Sequence, residues 1–70
     1  MRTHKGIKIG NYPYIKKTAK TKRITYIVND ILSKAETGRD DDTVYFFSPQ
    51  TGTHYQWSLT YFKKHMKKIR

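Results

Sequence analysis

Cysteine is absent from this chain of 70 residues, which excludes a disulfide framework, a thiolate metal site and a thiol nucleophile. Long apolar runs are absent as well. Nowhere do about 18 apolar residues follow one another, the minimum for a membrane-spanning helix. The basic start, Met1-Arg2-Thr3-His4-Lys5-Gly6-Ile7-Lys8, leads into no apolar stretch of signal-peptide length. A cytoplasmic protein without membrane association is the expectation. The four glycines are scattered, so no glycine loop of the phosphate-cradling kind is available. Acids are the scarcest charged group: 5 Asp and Glu stand against 15 Lys and Arg, for a formal net charge of +10.

The charges fall in blocks. From Met1 to Arg23 eight basic residues occur with no acid. All five acids lie between Ile24 and Asp42, Thr43 to Phe62 carries no Asp, Glu, Lys or Arg, and Lys63, Lys64, Lys67, Lys68 and Arg70 crowd the end. A chain this short makes one domain, 1–70, near the lower size limit for a self-supporting core. Its first ten residues read as a flexible basic arm.

Gly10-Asn11-Tyr12-Pro13-Tyr14-Ile15 sets turn residues before aromatic and β-branched ones, a short first strand in which Pro13 suits an edge or a strand start. Lys16–Lys22 has no apolar residue beyond Ala19 and reads as a loop. Arg23–Leu32 is rich in Ile, Val, Thr and Tyr, with Ile24, Tyr26 and Val28 on one face. Ser33–Asp42 reads as a loop whose Glu36-Thr37-Gly38 and Asp run mark a solvated hairpin tip. Thr43–Ser48 and Thr53–Trp57 are two further strands about the turn Pro49-Gln50-Thr51-Gly52, completing an antiparallel meander. Ser58 is placed to N-cap a helical turn over Leu59–Lys64, and His65–Ile69 closes the chain as a last short strand. The expected fold is all-β and small: a five-stranded SH3-like barrel with a short helical turn before the last strand.

The residues that follow Thr25 also resemble a group of short bacterial and phage proteins of unknown function with an SH3-like fold. The resemblance covers Tyr26 to Ile69. It is carried by Tyr26 and Val28, Lys34-Ala35-Glu36-Thr37-Gly38, Val44-Tyr45, Gly52, Trp57-x-Leu59, Phe62 and Met66, while Ser58 and Thr60 stand where that group has Arg-Pro. It implies the barrel and no particular function.

Chemistry-bearing constellations are few. His4, His54 and His65 are far apart, without a carboxylate or second His at metal-ligand spacing. Asp40-Asp41-Asp42 is followed by Val44, Phe46 and Phe47 rather than by the alternating oxygen ligands of a calcium loop. No catalytic group, metal or cofactor is expected. The strongest feature is the basic loop Lys16, Lys17, Lys20, Lys22 and Arg23, joined by Lys63, Lys64, Lys67 and Lys68. Ten aromatic residues exceed what so small a core needs; Tyr26, Phe46 and Trp57 are expected inward and Tyr45, Phe47 and Tyr55 outward, as a platform for unpaired bases. A non-catalytic nucleic-acid-binding protein is therefore the first expectation, with lysines on phosphates, Tyr55 and Trp57 on bases, and little sequence preference. The rival is a small regulator, of the kind phages encode, that binds an acidic surface of a host protein. DNA against RNA, and the oligomeric state, stay open.

The excess of cations makes a prediction about stability. Self-repulsion is screened over a Debye length of about 10 Å at 0.1 M salt, so the melting temperature should rise with moderate NaCl. A steady fall in a thermal melt series would show instead that ion pairs dominate.

Overall fold

The computed structural model describes residues 2–10 and 12–69. Met1 at the head of the expected arm, Asn11 in the expected first turn and Arg70 in the C-terminal basic cluster lie outside the described residues. The order is β1 (Arg2–His4), β2 (Ile7–Ile9), β3 (Pro13–Lys16), β4 (Tyr26–Leu32), α1 (Lys34–Thr37), β5 (Thr43–Phe47), β6 (His54–Ser58), α2 (Leu59–His65) and β7 (Met66–Lys68). Strands β1 and β2 form a two-stranded hairpin, and the other five form one antiparallel sheet in the order β6-β5-β4-β3-β7. The fold is thus small and mostly β. The sheet is not closed: β6 and β7 are its two edges, and α2 connects them directly.

The meander follows from side-chain alternation. On β4, Tyr26 and Val28 are buried on the core face; a bulge then inserts Asn29, since Val28 faces Phe46 across the ladder but Asp30 faces Tyr45. The extra residue shifts the phase, which is why the next core residue is Ile31 and not Asp30. On β5, Val44 and Phe46 point inward, opposite Trp57 and Tyr55 of β6. Phe46 is the hub of the aromatic core. Tyr26, Trp57 and Phe62 meet it edge to face at 5.7, 5.0 and 5.2 Å between centroids, and Tyr55 stacks on it at 5.2 Å. These are the offset and T-shaped arrangements that ring quadrupoles favour.

Two segments depart from the sequence expectation. Residues 2–9 do not stand off as an arm: they make the β1–β2 hairpin, turning through Lys5 and Gly6 at positive φ, and Ile7 and Ile9 join the central core. The Gly10 N–H donates to the Val28 carbonyl beside the bulge, and the Lys8 N–H donates to the Tyr14 hydroxyl, which fixes the hairpin to the sheet. The alternation Ile7-Lys8-Ile9 was too short to outweigh the surrounding charge.

The acidic segment is likewise no solvated tip. Ser33 and Glu36 form a reciprocal capping box, Gly38 ends α1 in the left-handed conformation at φ 72°, and the chain turns back into β5. Asp42 is 2% exposed. Its carboxylate accepts from His4 Nε2 at 2.8 Å and from the Lys34 N–H at 2.9 Å, and it pairs with Lys5 Nζ at 3.0 Å. The Asp42 carbonyl accepts from the Leu59 N–H at the start of α2, while the Asp41 carboxylate takes both the N–H and the hydroxyl of Thr60. Hairpin, α1, β5 and α2 converge on these two aspartates.

Two outcomes follow. Ile7→Ala deletes side-chain atoms that are 98% buried and should cost about 2–5 kcal/mol in urea unfolding, whereas a free arm would show no change. The second concerns acid. The His4 hydrogen bond, the Lys34 N–H and Lys5 hold the Asp42 carboxyl well below the usual carboxylate range, and the Thr60 N–H and hydroxyl lower Asp41. A carboxyl depressed in the folded state contributes stability that is present above its unfolded value, about 3.9, and is lost as pH falls through the lower folded value. The melting temperature should therefore drop below about pH 4, less steeply in Asp42→Asn and less again in the Asp41→Asn, Asp42→Asn double variant, both of which start lower at pH 7.

Candidate nucleic-acid interface

The basic loop, residues 17–25, crosses the end of the sheet between β3 and β4, and all of Lys16 to Ile24 is exposed. Both of its ends are held. The Lys17 N–H donates to the His65 carbonyl at 2.8 Å, tying the start of the loop to the end of α2. At the other end Gln50, from the β5–β6 turn, accepts from the Thr25 N–H and donates to the Thr25 hydroxyl. That turn is itself closed by the Gly52 N–H on the Ser48 carbonyl, with Gly52 at φ 72°. A cation-bearing segment is in this way anchored at one end by α2 and at the other by the β5–β6 turn.

Beside the loop lies the opening between the sheet edges. There Lys16, Thr18, Trp57, Tyr61 and His65 line a cleft of about 150 Å³. Its aromatic wall has a simple origin: Trp57 is the last inward-facing residue of β6, Ser58 caps α2 by accepting from the Tyr61 N–H, and Tyr61 and His65 stand four residues apart on one side of the helix. Trp57 and Tyr61 meet edge to face at 4.7 Å, and Tyr61 and His65 lie at 4.3 Å. Tyr61 is 47% exposed. A second cleft of about 240 Å³ is lined by Lys16, Ala19, Lys20, Thr21, Ile24 and Tyr26.

The remaining cations are distributed elsewhere. Lys22, Lys67 and Lys68 line a third cleft, of about 340 Å³, with Ile15 and Ile69. It belongs to the outer face of the sheet, because Ile15 pairs with Lys67 and is buried outside the central core that holds Tyr14 and Met66. Lys8 and Lys68 both approach the Tyr12 ring, at 4.9 and 5.9 Å. Lys17 and Arg23 are exposed on the loop, and Lys63 and Lys64 on α2, where the Lys63 ammonium reaches toward Gly6 of the hairpin turn. Of the expected binding residues, Lys16 lines one cleft with Trp57 and the other with Lys20. The structure puts Lys22, Lys67 and Lys68 on another face.

The aromatic platform differs from expectation. Tyr55 and Trp57 are two apart on β6 and so share the inner face, where both pack on Phe46; Tyr55 does not point outward. The outer face of these strands carries Tyr45 and Phe47 with Gln56 and His54, and Phe47 stacks on His54 at 5.5 Å. Tyr61 and His65 were missed. The spacing Trp57-x₃-Tyr61-x₃-His65 was the available signal, and it becomes informative only once α2 is known to start at Leu59.

Among the described residues that line the three clefts there is no Asp or Glu. Asp41 and Asp42 are instead committed to the hairpin and helix contacts described above. The histidines also have separate surroundings: His4 on Asp42, His54 on Phe47, His65 on Tyr61. Compared with known proteins, the chain matches no family model, and neither a curated protein nor a solved structure matches it at a significant level.

Proposed function

We propose that the protein is a non-catalytic binder of single-stranded nucleic acid, and that its five-stranded sheet with the intervening α2 is an SH3-like barrel left open on one side. The observation that carries the reading is the aromatic wall Trp57–Tyr61–His65 facing Lys16 across one cleft, with the exposed basic loop beside it. Ring faces and edges accept any base by stacking, and ammonium groups accept any phosphate. The combination binds strands with little regard to sequence. Lysines on two faces add a long-range attraction for polyanions. Binding rather than catalysis is supported by the roles of the carboxylates: Asp41 and Asp42 are held ionised by fixed donors, which disfavours proton transfer near neutral pH. An acidic protein surface would satisfy the same cations. It would leave the aromatic wall without a use.

Fluorescence anisotropy with labelled random-sequence DNA and RNA strands tests the proposal. Lys16→Ala with Lys20→Ala removes two phosphate contacts, which should weaken all sequences alike and make the dependence of log K on log salt shallower by about 1.4, at roughly 0.7 per contact on single strands. Tyr61→Ala should cost about 1–3 kcal/mol of binding with the salt slope unchanged, and Tyr61 is exposed enough for the fold to tolerate the change. Failure of the wild type to bind any strand at low salt would overturn the reading. Binding to polyglutamate under the same conditions would then favour the acidic-protein partner.

A further inference from the structure

Among the described residues two large apolar side chains are exposed, Ile24 at 44% and Tyr61 at 47%. They do not lie together. Ile24 lines the cleft of about 240 Å³ and Tyr61 the cleft of about 150 Å³, and Lys16 is the one residue that lines both. Each cleft is smaller than the roughly 300 Å³ at which pockets begin to enclose drug-sized ligands, so each suits a single flat ring system rather than a whole cofactor. One cleft has Trp57, Tyr61 and His65 for a wall; the other has Tyr26 and Ile24 beside the Lys20 stem. The segment between them is preset, since Lys17 is bonded to His65 at one end of the loop and Thr25 to Gln50 at the other.

We infer that the site takes two adjacent nucleotides of one strand, with a base in each cleft and the phosphodiester that joins them on the Lys16 ammonium. The inference rests on the nucleic-acid reading and deepens it. A single-stranded backbone places one phosphate between successive bases, and here two ring-sized clefts share one lysine, Lys16, in their lining. Lys20 lies at the second cleft and meets the next phosphate along. Duplexes are poor ligands here, because paired bases present no face to either cleft.

The chain has one tryptophan, Trp57, so its fluorescence reports directly on the first cleft. Thymidine 5′-monophosphate, the dinucleoside monophosphate TpT and an eight-nucleotide oligothymidylate are titrated into the full chain, with UpU alongside TpT. The monophosphate carries about −1.5 to −2 charge at pH 7 and TpT a single negative charge, so charge alone ranks the mononucleotide first. The two-nucleotide site ranks TpT or UpU first, by about ten-fold or more. Ile24→Ser should abolish that gain, and Lys16→Met, which keeps the apolar stem, should weaken dinucleotide and monophosphate alike; thermal melts establish that each variant folds. If neither dinucleotide exceeds the monophosphate while the octamer still binds, the two-nucleotide footprint is overturned and the nucleic-acid reading stands. If the octamer does not bind either, the nucleic-acid reading itself has failed.

Discussion

The carboxylate of Asp42 is the contact on which the arrangement of this chain depends. It is one of five acids in a protein of net charge +10, and it is the one placed where hairpin, α1, sheet and α2 meet. Taking a carboxylate out of water is unfavourable unless its oxygens are met by donors, and charged donors make the strongest such bonds. His4, Lys5 and the Lys34 N–H supply them from two separate parts of the chain. The result is a latch: β1 and β2, which share few backbone bonds with the main sheet, are held by side chains of their own turn region while Ile7 and Ile9 fill the core beneath. Asp41 performs the neighbouring task by accepting from Thr60, so that the first turn of α2 is satisfied by a side chain from before β5.

What could be read in advance was what depends on neighbours in sequence. Tyr26-Ile27-Val28 and Thr43–Phe47 are β-branched and aromatic and became strands; Pro49 to Gly52 became the tight turn; Ser58 became a cap. What could not be read depends on contacts across the chain. Asp40-Asp41-Asp42 looks like a solvated run because nothing local shows that His4, 38 residues away, will meet Asp42. Residues 2–9 look like an arm because three cations conceal two core isoleucines. Strand alternation does reach Tyr55, which lies two residues before Trp57 and so shares the inner face of β6. Capping-box chemistry at Ser33 and Glu36 was also present in the sequence and signals a helix turn rather than a hairpin tip.

The placement of the acids organises the charge as well as the fold. With Asp41 and Asp42 consumed at the hub, the loop cations and the clefts next to them are left without carboxylate neighbours among their lining residues. Like charges on an exposed loop repel one another only weakly in water, and the cost is spread over long side chains that can separate. The same separation leaves the ammonium groups available to a polyanion. A distribution that mixed the five acids among the fifteen cations would have stabilised the free protein and weakened that attraction.

The gap in the sheet and the aromatic wall are one feature. Edge strands β6 and β7 do not pair because the seven residues of α2 stand between them, packing Leu59 and Phe62 into the core from the open side. A tight turn in place of the helix could have let the edges approach and continue the ladder, and Trp57 at the end of β6 would then lie beneath the returning strand. With the helix there, its inner face completes the core and its other side carries Tyr61 and His65 toward Trp57. A spacing of four residues, just over one helical turn of 3.6, brings the two rings to the same side, and the cap at Ser58 sets where the helix begins. The device that fills the missing side of the sheet therefore also creates the surface next to the basic loop, and the Lys17 N–H on the His65 carbonyl locks the two together. Inserting one residue between Tyr61 and His65 would rotate the two rings apart by about 100° and shift the His65 carbonyl from the Lys17 N–H as well, so the position of the binding surface is tied to the spacing within this one helix.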